Sequence, residues 1–335
     1  MKLIDTIPGV PAAAILGMCK NAGKTTAMNA LIRDFPETGV LCVTSIGMDG
    51  ESRDLVTGTK KPSIWLREGM LAATAENLLP LCDVSREILS ATGIHTGLGE
   101  VIVFRARSDG FVQLAGPSIT EQLGVLRNIV VSFGADQVLI DGALSRKSPL
   151  TGVSDGACIL STGASLDRDM EKVISETSYA VELLTLPEFR GAVISDPELR
   201  SDTAQKQIII LHEDETKEHI ERSEMIRGLT ERDSIFFPGA LTESQARMLL
   251  RNKFVKSGVT IAVRDSSCLL MKRETWKDLT ARDVRFAVLK RTDLAAVTVN
   301  PVSAEGWKFD PEVFLSRVQE TVSVPVFDVL SEKDY

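Results

Sequence analysis

The sequence predicts an α/β fold: a mostly parallel sheet with an inserted hairpin, followed by a smaller α/β domain. Short apolar runs alternate with helical patterns along the 335 residues, which is typical of helices packed on a parallel sheet. Two early runs, Val40–Ser45 and Gln137–Asp141, are apolar at successive positions, as in strands buried on both faces. A polar stretch over Pro187–Gln205 predicts two domains, 1–200 and 201–335.

The first strand, from Ala12, leads into a loop with the sequence GMCKNAGKTT, and a helical pattern follows at once. The unpaired N–H groups at a helix N-terminus bind phosphate, and glycine lets the backbone approach closely. Lys24 is expected to reach the β- and γ-phosphates and Thr25 to ligate Mg²⁺. The predicted nucleotide-binding residues are Gly17, Asn21, Ala22, Gly23, Lys24, Thr25 and Thr26.

The loop departs from the strict P-loop pattern, because five residues separate Gly17 from Gly23 and Met18 takes the usual glycine position. In this form it resembles the loop of dethiobiotin synthetase and its relatives among P-loop NTPases. The resemblance implies that residues 1–200 form a P-loop NTPase domain. The alternative is a strand-to-helix turn capped by these residues without a ligand.

Acidic residues follow the second strand, Val40–Ser45. Ligands of open α/β sheets bind at the carboxyl ends of strands, so Asp49 is predicted to hold Mg²⁺ through water or to orient the attacking water. Glu51 is the weaker candidate. The alternative is a polar turn.

A second motif, Gln137–Asp141, is a buried strand that ends in an acid and is similar to a Walker B element. Asp141 is the predicted ligand of the Mg²⁺ water shell. Arg146 follows within a few residues and is a candidate for stabilising charge during phosphoryl transfer, as is Lys147. The alternative is that both cations are solvated.

The remaining elements are predicted from apolar spacing and turn residues. Gly69–Leu79, Val84–Leu89 and Glu215–Gly228 have helical patterns. Asp109-Gly110 predicts a hairpin between Glu100–Arg107 and Phe111–Ala115. Ser118 and Glu121 predict a capping box for a helix to about Val131. Further predicted elements are strands Ser63–Leu66, Ala157–Leu160, Gln207–Leu211, Ile235–Phe237, Val259–Val263, Phe286–Leu289, Ala295–Val299 and Val324–Phe327, and helices Thr25–Ile32, Met170–Leu184, Thr242–Asn252 and Glu312–Glu320.

The loop Asn300–Gly306 follows a strand and is either a ligand or partner site or a structural turn. The sequence near Lys290 lacks the Asn/Thr-Lys-x-Asp spacing usual in guanine-specific proteins. ATP is therefore expected rather than GTP.

Composition limits the partners. The net charge of −8 argues against nucleic acid, and no apolar run approaches the roughly 20 residues of a membrane helix. Without a recognisable signal peptide the expected location is the cytoplasm.

The five cysteines are never paired as C-x-x-C and the three histidines have no ligand spacing, so neither a disulfide framework nor a transition-metal site is expected. Cys19 lies in the loop, where a helix N-terminus can lower a thiol pKa, although a small buried hydrophobe is the preferred interpretation.

Several stretches resemble a family of reactivase subunits for adenosylcobalamin-dependent lysine 5,6-aminomutase. They are Gly23–Ile32, Val43–Glu51, Ile140–Ser148, Ile159–Ser165, Ala296–Pro311 and Val324–Val329. The resemblance implies ATP-driven release of a damaged cobalamin, with a second ATPase subunit or the aminomutase as partner. The leading hypothesis is an Mg²⁺-dependent ATPase. A small-molecule ligase or kinase of the dethiobiotin synthetase type, a non-hydrolysing nucleotide-binding adaptor and a homo-oligomer stay open.

Overall fold

The computed structural model describes residues 1–47, 64–143, 156–190, 207–221 and 226–329. The chain divides into two compact units, of which the first combines Met1–Ser178 with Asp293–Tyr335 and the second is Tyr179–Thr292. This division differs from the predicted boundary at residue 200, because the last predicted strands belong to the first unit. The second unit is therefore an insertion rather than a C-terminal domain.

The described part of the first unit forms a nine-stranded sheet and a separate two-stranded sheet. The strands are β1 (Ala12–Gly17), β2 (Leu41–Ser45), β3 (Ile64–Leu66), β4 (Leu71–Ala75), β5 (Arg86–Thr96), β6 (Gly99–Ala106), β7 (Gly110–Val112), β8 (Gln137–Ala143), β9 (Ala157–Gly163), β17 (Asp293–Asn300) and β18 (Val326–Asp328). The large sheet has the order β18-β17-β9-β1-β8-β2-β4-β6-β5, and its first seven strands are parallel. The α/β class and a large, mostly parallel sheet are thus confirmed.

The described helices of this unit are α1 (Lys24–Asp34), α2 (Thr120–Ser132), α3 (Met170–Leu184), whose last turns enter the second unit, and α6 (Pro311–Thr321). All six residues of β1 are buried, as the apolar run predicts. Alternate β1 side chains, Ala13 and Ile15, share one core with Met28 and Leu31 of α1. The packing of α1 on the sheet fixes the loop that joins β1 to α1.

Two predictions between residues 69 and 115 are wrong. The segments expected to be helical form β4, a 3₁₀-helix over Glu76–Leu81 and β5. The hairpin is also displaced, since β6 pairs antiparallel with β4 and β5, whereas β7 pairs with β3 in the two-stranded sheet. Five consecutive residues of β4 are buried between β2 and β6, so pairing with neighbouring strands overrides local helix propensity.

The predicted capping box on α2 is also wrong. The helix begins after Ile119, which has extended backbone and makes no side-chain cap hydrogen bond. Ser118 therefore lies one residue too early to cap it.

The described strands and helices of the second unit are β10 (Ile208–Leu211), β11 (Lys217–Ile220), β12 (Ser234–Phe237), β13 (Leu241–Thr242), α4 (Glu243–Arg251), β14 (Thr260–Val263), β15 (Leu269–Leu270), α5 (Arg273–Thr280) and β16 (Arg285–Val288). Five of the strands form a sheet of order β11-β10-β12-β14-β16. Strands β12, β14 and β16 are parallel, whereas β10 pairs antiparallel with both β12 and β11. Lys217–Ile220 is a strand, so the helix predicted over Glu215–Gly228 is wrong at its start.

Helix α4 begins as predicted. Thr242 is its N-cap, and Thr242 and Gln245 form a reciprocal capping box, which satisfies the first N–H groups of the helix. Helix α5 was not predicted. None of the described helices is long and apolar enough to cross a membrane.

Candidate functional site

The candidate site lies at the carboxyl end of β1, in the middle of the large sheet. Strand order reverses there, because β8 and β2 lie on one side of β1 and β9 and β17 on the other. Ligands of open α/β sheets bind in the crevice at such a reversal. The loop Gly17–Thr26 therefore occupies the position that the sequence predicts.

The backbone of this loop needs two left-handed residues. Asn21 has φ of 60° and Gly23 has φ of 97°, and Gly23 is the N-cap of α1. Left-handed backbone is readily adopted by glycine and tolerated by asparagine, which explains why these residue types stand there. Lys24, Thr25 and Thr26 follow in the first helical turn, half-buried, where an α-helix leaves its N–H groups without intrahelical acceptors.

Lys24 and Asp141 come together across this crevice. Nζ of Lys24 lies 3.7 Å from Oδ1 of Asp141, with the side chains 14% and 22% exposed. The lysine reaches this position by passing over Gly17: a Cβ built on Gly17 would lie 2.6 Å from its Cδ. Gly17 therefore has a role beyond the turn, since it leaves the space that the aliphatic part of Lys24 occupies.

Strand register explains why Asp141 is in reach. Asp141 of β8 is level with Ile15 of β1 and with Ser45 of β2. It thus lies two residues before the end of β1, directly below the loop. The structure thus brings Lys24 close to Asp141, although β8 continues two residues beyond this acid, to Ala143.

Three other predicted features have different outcomes. Asp49 and Arg146 lie outside the described residues. Burial is the largest influence on the Cys19 thiol and raises its pKa, which the charge of Lys24 only partly offsets. The direction of this shift is opposite to the one that a helix N-terminus would produce, and Cys19 is partly buried.

The segment that begins at Asn300 also supports the candidate loop. From the sequence it could be either a ligand or partner site or a structural turn. Nδ2 of Asn300 donates a hydrogen bond to the backbone oxygen of Asn21 at 3.2 Å. The backbone N–H of Met18 also donates to Ser161 O of β9 at 3.0 Å. Strands on the β9 side thus hold the candidate loop at two points, Met18 and Asn21.

Buried hydroxyl groups extend this support below the loop. Thr162 of β9 and Thr177 of α3 are hydrogen bonded at 2.8 Å, and Thr177 also lies 3.4 Å from the sulfur of Met18. Ser161 and Thr298 form a similar pair at 2.8 Å. Sequence patterns show hydroxyl residues at these strand ends, but not which of them meet.

Comparisons of this chain with family models, with curated proteins and with solved structures found no match.

Proposed function

We propose that this chain binds a nucleoside triphosphate with Mg²⁺ in the Gly17–Thr26 loop and hydrolyses it, with ATP as the expected nucleotide. The observation that carries the proposal is the approach of Lys24 to Asp141 beside the N-terminus of α1. A cation, an acid and the first N–H groups of a helix are the groups that a magnesium polyphosphate requires.

The oxygen donors suit magnesium. Thr25 offers a hydroxyl in the first turn of α1 and Asp141 a carboxylate on β8, and hard cations prefer oxygen ligands. The described residues contain no cluster of three or more His, Cys, Asp or Glu that could hold a metal ion. Magnesium in nucleotide sites does not need such a cluster, because it takes one or two carboxylates and completes its shell with phosphate oxygens and water. When bound, the ion neutralises phosphate charge.

The protein groups have separate roles in this proposal. Lys24 leaves Asp141 for the phosphate oxygens, and the backbone N–H groups after Gly23 hold the phosphates in place. Phosphoryl transfer depends mainly on such positioning and on charge stabilisation. Asp49 and Arg146 stay the predicted water-orienting and charge-stabilising residues.

Thermal melts of the purified chain with and without Mg²⁺–ATP test the binding step. Ligand at a hundred times its dissociation constant stabilises the folded state by about 2.7 kcal/mol. Lys24→Ala should abolish this stabilisation, whereas Lys2→Ala should keep it, because Lys2 is exposed and pairs with Asp34 instead. If wild-type protein gains nothing from ATP or GTP, the proposal fails.

For the partner we propose the assignment that the resemblance implies, a reactivating role toward an adenosylcobalamin-dependent aminomutase. ATP turnover by proteins of this kind falls by roughly 10³ to 10⁵ when a partner's cation is missing. Addition of the aminomutase or of a second ATPase subunit is therefore expected to raise phosphate release. Release that instead depends on a small carboxylate metabolite would favour the dethiobiotin synthetase type of activity.

A further inference from the structure

Asn300, the last residue of β17, lies between two glycines of other segments. A Cβ built on Gly23 would lie 3.1 Å from Cβ of Asn300, and one built on Gly163 would lie 2.5 Å from Asn300 O. Neither glycine could carry a side chain without moving Asn300. The backbone of the candidate loop and the end of β9 therefore both approach this residue closely.

The side-chain amide of Asn300 is fixed in direction. Its Nδ2 donates to Asn21 O at 3.2 Å, and its Oδ1 accepts from the backbone N–H of Val302 at 3.0 Å. Reversing the amide would place a donor against a donor and an acceptor against an acceptor. The backbone oxygen of Asn300 also accepts from Ala164 N at 2.9 Å.

The neighbouring loop makes this position rigid. Nε1 of Trp307 donates to Ala164 O at 3.0 Å, so the N–H of Ala164 binds Asn300 at the end of β17 and its C=O binds the segment that follows. The guanidinium of Arg168 lies over the Trp307 ring, 4.6 Å from its centroid. Asn300 is therefore held in place by its surroundings and can support the candidate loop.

The hydrogen bond at Asn21 has a consequence for the loop. The C=O and N–H of a trans peptide point in opposite directions, so holding Asn21 O toward Asn300 turns the N–H of Ala22 to the other side of the loop backbone. Asn21 is also in the left-handed region, with φ of 60°, which is unfavourable unless contacts stabilise it. Asn300 supplies such a contact.

We propose that Asn300 is a positioning residue for phosphate, which acts through Asn21 by orienting the peptide N–H groups of the loop. This inference rests on the proposed function and adds a residue that no loop motif includes. Asn300 acts on the phosphate part of the ligand and not on the base, so its removal weakens binding of any polyphosphate.

The test is titration calorimetry with two probes, Mg²⁺–ATP and Mg²⁺–tripolyphosphate, on wild type, Asn300→Ala and Asn300→Asp. Loss of one neutral hydrogen bond should weaken both probes about three- to tenfold in Asn300→Ala. Asn300→Asp keeps the shape but cannot donate when ionised and adds negative charge near phosphate, so it should weaken both by about tenfold or more.

Asn252 is a matched control, since its Nδ2 donates to Ile226 O at 3.1 Å and its Oδ1 accepts from Phe254 N at 2.9 Å. Asn252→Ala loses the same two kinds of hydrogen bond in the second unit. It should lower the melting temperature as much as Asn300→Ala but leave both affinities unchanged.

The outcomes separate the two proposals. If wild type binds neither probe, the proposed function fails. If wild type binds and the Asn300 variants bind equally well, only the positioning role is refuted. Weaker binding of ATP alone, with tripolyphosphate unaffected, would assign Asn300 to the base or sugar and also overturn the inference.

Discussion

The ion pair between Lys24 and Asp141 should be energetically coupled even without a ligand. The perturbation is a double-mutant cycle with Lys24→Met, Asp141→Asn and the double variant. Both side chains are mostly buried, and Nζ lies 3.7 Å from Oδ1. Removing one partner leaves the other charge in a poorly solvated crevice, whereas removing both does not.

The size of the coupling energy between Lys24 and Asp141 follows from their distance and burial. At this separation and an effective dielectric constant of about 20, the attraction is about 4 kcal/mol, but desolvation of both groups offsets much of it. Exposed pairs are worth about 0–1 kcal/mol and breaking a fully buried pair costs about 3–5 kcal/mol. For partial burial we expect a coupling energy of about 1–2 kcal/mol.

Urea unfolding at neutral pH, followed in wild type and the three variants, measures this coupling. The same cycle on Arg317 and Glu171 is the control, since that pair is 2.7 Å apart but 43% and 61% exposed. The control should couple by less than about 0.5 kcal/mol. A Lys24–Asp141 coupling no larger than the control would refute the reasoning.

Two further predictions concern packing and pH. Gly116→Ala should destabilise the first unit by about 1–3 kcal/mol or more, because the new Cβ would lie 1.9 Å from Ser45 O. Gly97→Ala is the control: its new Cβ would have nothing within 4 Å, so the midpoint of its urea unfolding should equal that of the wild type. The Glu243 carboxylate accepts hydrogen bonds from the backbone N–H of Lys272, at 2.7 Å, and from the side chain of Arg247. These contacts, the one from Lys272 most of all, lower the pKa of Glu243 from 4.5 to about 2. Because the folded pKa is depressed, this stabilisation is present above about pH 4.5 and is lost as the pH falls toward 2; unfolding of Glu243→Gln should depend less on pH in that window, and an unchanged slope would contradict the assignment.

The central part of the fold was predictable because its signals are local. Uninterrupted apolar runs identified β1, β2 and β8, and glycine followed by Lys24 located the start of α1. These elements lie at the centre of the large sheet, where burial on both faces leaves a clear pattern. The candidate loop and Asp141 were predictable for the same reason.

The prediction failed where pairing partners determine the structure. Leu71–Ala75 is rich in alanine, which favours helix in isolation, yet its position between β2 and β6 makes it a strand. The insertion of the second unit was equally hidden, because no local pattern shows that β17 pairs with β9. Asn300 was missed as a support of the loop, since its partner Asn21 is 279 positions away.

The placement of β17 and β18 has a consequence for synthesis. Both strands are made after the whole second unit, yet β17 lies beside β9 in the large sheet. During translation β9 therefore has an open edge until residue 300 leaves the ribosome, and open edges invite pairing with other chains. A nascent chain halted before residue 293 would therefore be a target for chaperones. Long-range pairing of this kind also slows folding, so the contact between Asn300 and the candidate loop would be among the last to form.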